Sequence, residues 1–272
     1  MKGTHGWHEQ VPEAAAAGLM IVHGIAEHAG RYRHVPQALA RHGIACFAYD
    51  QRGHGRHPGR RTDIEDFDHF AADLETVGQT LRQRFPRLPL FVWGHSMGSV
   101  IVTLAAIDRL RWARGIITTG HALHALPNLD GATGTAIKFA AKLAPRFRVR
   151  LGIDGAKLTQ VLETQRAHMA DPLIARSASL RLLLGFATGC ETCARSLPKI
   201  AQPWLAVHGE ADGVCPPSGS AAVVAQLGSA DKTLVSYPGL LHEVHNEDAA
   251  ARAVLFELMS DWMLARSGSA AA

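Results

Sequence analysis

The chain of 272 residues predicts an α/β fold, a mostly parallel central sheet flanked by helices on both faces. Three observations carry this. Short apolar, β-branched runs alternate with helical stretches along most of the chain, the rhythm of strand–helix–strand units. One such run and the helix after it enclose Gly94-His95-Ser96-Met97-Gly98, a G-x-S-x-G sequence in a strand–turn–helix setting. Asp212 and His242 each lie just beyond the end of a later strand, the edge where open α/β sheets collect their chemistry.

The elements follow in order. A strand near His5–Val11 fits within the N-terminal residues, and Gly18–Gly24 reads as a strand running into a glycine turn. Val35–Arg41 reads as a helix and Ile44–Tyr49 as a strand. Phe67–Phe85 is an amphipathic helix ending near Pro86, which cannot continue it. Leu90–Trp93 is a buried strand, Val100–Ala106 a helix and Gly115–Thr119 a further strand. Between about His121 and Gly189 the alternation breaks over a length no ordinary loop has, with helical patterns at Thr135–Leu143 and Leu158–His168. The rhythm then resumes with strands Trp204–Gly209 and Lys232–Tyr237 and a last helix, Glu247–Arg266. Residues 1–120 and 190–266 are therefore expected to form the sheet domain, 121–189 an inserted, mainly helical cap, and 267–272 a frayed tail.

The G-x-S-x-G turn requires a strained backbone that lifts a serine hydroxyl clear of the sheet edge, and small neighbours that let strand and helix approach. A serine alcohol is a poor nucleophile near neutral pH and needs a histidine base held by an acid. In this setting the chain order is Ser, Asp or Glu, then His, which selects Ser96, Asp212 and His242. The chain holds 16 histidines, so most are solvated or structural, and His242 is distinguished by its place in the loop after the last strand. Glu210 is the competing carboxylate. The oxyanion of a tetrahedral intermediate would be held by two backbone N–H groups, that of Met97 after the serine and that of Ile25 after the Gly18–Gly24 strand, each worth roughly 3 kcal/mol.

The segments His23-Gly24-Ile25-Ala26-Glu27-His28-Ala29-Gly30-Arg31-Tyr32, Tyr49-Asp50-Gln51-Arg52-Gly53-His54-Gly55, Gly94–Gly98 and Tyr237–Glu243 resemble the monoacylglycerol lipase family of α/β-hydrolases, from about residue 18 to about residue 262. H-G-x-x-E-H-x-x-R-Y and D-x-R-G-H-G are far more specific than the serine motif. The resemblance implies Ser96, Asp212 and His242 as the triad, which favours Asp212 over Glu210, with Ile25 and Met97 as oxyanion donors. It implies an α/β-hydrolase fold whose cap follows the sixth core strand. Cys215 resembles a cysteine near the site in some members, and Asp171-Pro172-Leu173 a cap-region motif of bacterial members. The chain departs from the pattern at Ser99, in place of a second glycine after the elbow methionine, and at Arg56-His57, where a serine is commoner. Family members usually have two strands before the His23-Gly24 strand. Only one fits here, so the first is expected to be absent.

Composition narrows the function classes. The net charge of +4 is small for this length and no basic stretch is interleaved with aromatics, so no nucleic-acid partner is expected. No apolar run approaches about 20 residues, and Glu9 and Glu13 interrupt any signal-peptide core. Four cysteines make no disulfide framework, and Cys190-Glu191-Thr192-Cys193 reads as reduced thiols on a helix. A cytoplasmic location is the expectation. Lys138, Lys142, Arg146, Arg148 and Arg150, interleaved with Ile137, Phe139 and Phe147, read either as a solvated face or as a segment touching anionic lipid, a peripheral membrane contact through the cap. Leu123, Leu126, Ile137, Phe139, Leu143, Leu151, Ile153 and Leu158 line either an acyl pocket or the cap's own core.

The reading is a serine carboxylester hydrolase acting on monoacylglycerols or similar single-chain lipid esters through a covalent acyl-enzyme, with no cofactor or metal required. Lysophospholipase, thioesterase and short-chain esterase are the enzymatic alternatives. A non-catalytic ligand-binding protein on the same scaffold is the alternative of another class.

Overall fold

The computed structural model describes residues 5–126, 129 and 131–268. The apolar runs fold as β1 His8–Gln10, β2 Ala17–Val22, β3 Ile44–Ala48, β4 Leu90–His95 and β5 Gly115–Thr119, followed after the insertion by β8 Trp204–Gly209 and β9 Lys232–Tyr237. They form one sheet in the order β1-β3-β2-β4-β5-β8-β9. Only the β1–β3 pairing is antiparallel. Among the described residues no strand precedes β1.

Five strands, β2, β3, β4, β5 and β8, are buried along their whole length, which is why they read as unbroken apolar runs. Alternation still sorts their side chains between two cores. On β2, Leu19 and Ile21 pack on the face covered by α1 (His34–Ala40) and α8 (Ala249–Ser267). Met20 and Val22 pack on the other face, with α2 (Asp68–Arg84) and α3 (Met97–Asp108). The buried Trp93 and Trp204 donate their indole N–H groups to Thr119 and Thr118 of β5, at 3.0 and 3.2 Å. These bonds spare each ring an unpaired donor.

The chain leaves the sheet after β5. It builds α4 (Gly131–Leu143), a two-stranded antiparallel ladder of β6 (Arg148–Arg150) and β7 (Ser177–Ser179), and α5 (Leu162–Ala170) between them. The second helix of this region begins four residues later than the pattern from Leu158 suggests, because Asp154 caps a separate single turn at Gly155–Lys157. Then α6 (Leu180–Ser196), capped by the Ser179 hydroxyl, returns to the core and buries Phe186, Cys190 and Cys193. The expected boundary at residues 189 and 190 thus falls inside a continuous helix. Cys190 and Cys193 are free, buried thiols on that helix.

Between β8 and β9 lies α7 (Ser218–Gln226), and at the C-terminus the Asp248 carboxylate caps α8, which extends through Ser267, one residue into the expected tail. Residues 269–272 of that tail lie outside the described residues. No helix among the described residues is long and apolar enough to cross a membrane.

Candidate active site

The turn from β4 into α3 places Ser96 at φ 53°, ψ −122°, a left-handed conformation that a side chain adopts only under local constraint. The constraint is visible on both sides. A side chain at Gly98 would run into the Val22 carbonyl, and one at Gly94 into the carbonyl of Gly98. The Ser96 N–H is held by the Thr119 carbonyl at 3.1 Å. Ser99, the departure from two glycines, fits because its buried hydroxyl donates to the Ser96 carbonyl at 2.5 Å and accepts the Ala122 N–H at 3.2 Å.

Asp212 and His242 meet as strand order requires. The loops after β8 and β9 bring His242 Nδ1 to 2.7 Å from Asp212 Oδ2, and the carboxylate side chain is fully buried. Asp212 Oδ1 accepts the N–H groups of Val214 and Cys215, each at 2.8 Å. Burial alone would raise this carboxyl; hydrogen bonds from His208 and His242 outweigh it and hold it well below the usual carboxylate range. Glu210 is exposed at the loop surface and has no such partners among the described residues. With Nδ1–H donated to Asp212, His242 leaves Nε2 as its acceptor. Among the described residues no hydrogen bond joins Ser96 to His242, but both line one cavity. Cys215 Sγ lies 4.0 Å from Ser96 Oγ, and burial keeps that thiol protonated, far above its ordinary value.

The candidate oxyanion donors have their orientation set from behind. His23 Nδ1 contacts the Gly24 carbonyl at 2.8 Å while its Nε2 accepts the Gln51 N–H at 3.0 Å, so Nδ1 carries the hydrogen. Pinning that carbonyl turns the other side of the same peptide, the Ile25 N–H, away from His23. Glu27 Oε1 accepts the Gly24 N–H at 2.6 Å and the Tyr32 hydroxyl at 2.9 Å. Neither the Ile25 nor the Met97 N–H has an acceptor among the described residues.

The cavity encloses about 270 Å³. Leu151, Ile153, Leu158 and Ile174 of the insertion give it an apolar roof, while Glu27, Arg31, His168 and Glu243 make one part polar. Ile137, Phe139 and Leu143 do not reach it. Phe139 and Leu143 are 63% and 72% exposed on the outer face of α4. Leu123 and Leu126 belong to the main core. Of the eight apolar residues considered for the pocket, the three that follow β6 in the chain, Leu151, Ile153 and Leu158, line it.

Three groups of site residues carry no sequence signal that singles them out. His208 donates Nε2–H to Asp212 Oδ2 and to the Cys215 carbonyl, both at 3.0 Å, and Ser220 bonds its Nδ1 at 2.7 Å. Arg31 pairs with both Glu27 and Glu243 in a buried cluster that Asn246 also joins. The i, i+4 spacing of Glu27 and Arg31 inside the H-G-x-x-E-H-x-x-R-Y segment is the only hint of it. Asp171, noted only as part of a motif, tethers the insertion to the core through His28 Nε2 at 2.8 Å.

This sheet order, with a serine on the strained turn after β4, defines an α/β hydrolase of the serine type. Comparison with known proteins takes the assignment further. A family model described as "Serine aminopeptidase, S33" matches residues 13–249. Monoacylglycerol lipase of Mycolicibacterium smegmatis is 34% identical over 241 residues, covering 87% of this chain and 85% of that protein. Human monoglyceride lipase is 30% identical, covering 93% and 84%. A soluble variant of monoglyceride lipase from Saccharomyces cerevisiae, solved with a substrate analogue, superposes with a TM-score of 0.85 at 25% identity over 97% of this chain and 92% of that one. The chain belongs to the monoacylglycerol lipase family of serine hydrolases.

Proposed function

We propose that the chain hydrolyses monoacylglycerols, and related single-chain carboxylic esters, through an acyl-enzyme on Ser96. Ser96 Oγ attacks the ester carbonyl and its proton passes to His242 Nε2. Asp212 stabilises the imidazolium through Nδ1–H. The Ile25 and Met97 N–H groups hold the oxyanion. Collapse expels the alcohol, protonated by His242. Water, deprotonated by the same imidazole, then attacks the acyl-enzyme and releases the fatty acid and Ser96.

The observation that carries this reading is the 2.7 Å His242–Asp212 contact in a cavity shared with a serine held at positive φ. The insertion acts as a cap over residues 121–179, with α6 counted in the core that it packs against. The test is fluorophosphonate labelling together with hydrolysis of monoacylglycerols, lysophospholipids, thioesters and p-nitrophenyl esters. Wild type should label and turn over; Ser96→Ala should do neither while keeping its fold. Labelling that survives Ser96→Ala removes the serine from its role, and an unlabelled wild type points to a binding protein.

A peripheral contact with lipid belongs to the same reading. Phe139, Leu143 and Phe147 are exposed on and just beyond α4, beside Lys138, Lys142 and Arg146. Apolar side chains rimmed by cations suit an anionic lipid surface. Sedimentation with phosphatidylglycerol vesicles should exceed that with phosphatidylcholine and fall in Phe139→Glu. Equal sedimentation of both proteins would mark the face as merely solvated.

A further inference from the structure

The end of the sheet opposite the serine turn carries a second concavity. It opens at the starts of three neighbouring parallel strands: Arg114 immediately precedes β5, Pro203 precedes β8 and Asp231 precedes β9, and all three residues line it. It holds about 1000 Å³ and shares no lining residue with the cavity at Ser96. The twelve residues of α3, roughly 18 Å of helix, separate the serine turn from it. Its walls are fixed. Gln202 donates through Nε2 to the carbonyls of Ala106 and Leu110, at 3.1 and 3.4 Å, and the Arg114 N–H is held by the Leu90 carbonyl at 2.8 Å. The Trp112 indole donates to Glu75 at 2.7 Å.

Four cations and one carboxylate line this space. Arg266 takes the carboxylate, Asp231, through two bonds of 2.8 and 2.6 Å. Arg111, Arg114 and Lys199 remain, and among the described residues none of these three side chains has a hydrogen-bond or ion-pair partner. Arg109, on the same loop as two of them, is by contrast held by both oxygens of Asp68. The carbonyl ends of the two adjoining helices do not account for the excess. Arg109 at the end of α3 and Arg266 in the last turn of α8 already complement them, and that effect fades beyond the last turn. Like charges gathered in one concave wall reinforce each other's field, which an anion entering from solvent relieves. Guanidinium forks match the oxygens of a phosphate, and three cations exceed what a single carboxylate balances. Ile107 and Trp112 give the same space an apolar wall.

We infer that this concavity is a second binding site, separate from the ester site, for a small anion carrying a phosphate or diphosphate group. The inference does not depend on the ester-hydrolase reading. Isothermal titration calorimetry of the full chain in low-salt buffer tests it, with pyrophosphate, adenosine triphosphate, adenosine and decanoate as titrants. Pyrophosphate should bind at one site per chain, and adenosine, which has no charge, should not. Adenosine triphosphate bound more tightly than pyrophosphate identifies an organic phosphate as the ligand; bound more weakly, it identifies the inorganic group. Either result upholds the site. The affinity for pyrophosphate should fall about fivefold in Arg111→Gln and in Lys199→Gln, the upper range for one exposed ion pair, and further in the double variant Arg111→Gln/Arg114→Gln. It should also fall as sodium chloride is added. Arg41→Gln, an exposed cation outside the concavity, should leave it unchanged. Circular dichroism checks that each variant is folded; Arg111 and Lys199 are exposed, and if the double variant does not fold, the two single variants decide. Absence of binding by both phosphates, decanoate bound as tightly as pyrophosphate, or an equal loss in Arg41→Gln overturns the inference.

Discussion

Asp212 holds two histidines on one oxygen, His242 at 2.7 Å and His208 at 3.0 Å, while its second oxygen anchors its own loop. Only the His242 contact reaches the cavity that contains Ser96. Asp212→Asn should therefore keep the loop but favour the wrong His242 tautomer, lowering ester turnover by up to about four orders of magnitude. The exposed Glu210 changed to glutamine should keep near wild-type turnover; the reverse pattern would identify the wrong carboxylate. His208→Phe strips a donor from Asp212 and from the Cys215 carbonyl and leaves Ser220 unpaired. A stability loss of about 1–3 kcal/mol, read by urea denaturation, is expected. At this scale the placement of Ser96, Asp212 and His242 at one edge of the sheet was legible because each follows a strand end. His208 was not, since a histidine inside a buried strand has no local pattern that distinguishes a ligand of the acid from core.

The elements are joined at the loop that carries His242. Glu247 accepts the Thr159 hydroxyl at 3.0 Å and the Gln160 N–H at 2.9 Å from the insertion, and the Leu241 N–H at 3.1 Å beside His242. The Glu243 N–H donates to the Leu158 carbonyl at 2.7 Å. Glu247→Ala removes three of these bonds from a buried carboxylate. It should lower the melting temperature and increase hydrogen exchange in both residues 158–161 and 240–243; exchange raised in one segment alone would show that they are not coupled. The roof belongs to the segments around β6, so Leu151→Ala and Ile153→Ala should shift chain-length preference on soluble esters. Each buried methylene of an acyl chain contributes up to roughly 0.8 kcal/mol, which makes such a shift measurable. Leu143→Ala, on the exposed side of α4, should shift it far less. A profile that peaks at acetate in wild type would count against a monoacylglycerol substrate. The existence of these helices was legible from their periodicity, but which face met the cavity was not. An amphipathic stripe gives an orientation relative to some apolar neighbour without saying which neighbour that is.

Across the whole molecule several histidines are buried and neutral. His95 is held down at about 4 by burial and then by His242, His54 at about 3 by burial and His23, and His121 at about 3 by burial and His208. Their ordinary value is 6.5, so on acidification the unfolded chain takes up protons before the folded one does. The stability they contribute is whole above about pH 6.5 and is lost as the pH falls from there through their folded values. Between pH 6 and pH 5 each should tilt the unfolding free energy by up to about 1.4 kcal/mol per pH unit. Urea midpoints from pH 8 to pH 5 test this, and a flat profile would mean that these rings protonate in place. By itself the sequence determined the alternation of strands and helices, the serine turn, the chain order of acid and base, and the place of the insertion. All of these are written in local periodicity and in the small residues that a strained turn demands. Tertiary structure alone decided that Asp212 serves two histidines, that Glu27, Arg31 and Glu243 share one buried site, that α6 returns to the core, and that His168 rather than the face of α4 meets the cavity. Those facts depend on contacts between segments that local periodicity does not join, 30 residues apart for His242 and Asp212 and 212 for Arg31 and Glu243, which are set by how helices and loops pack on the sheet.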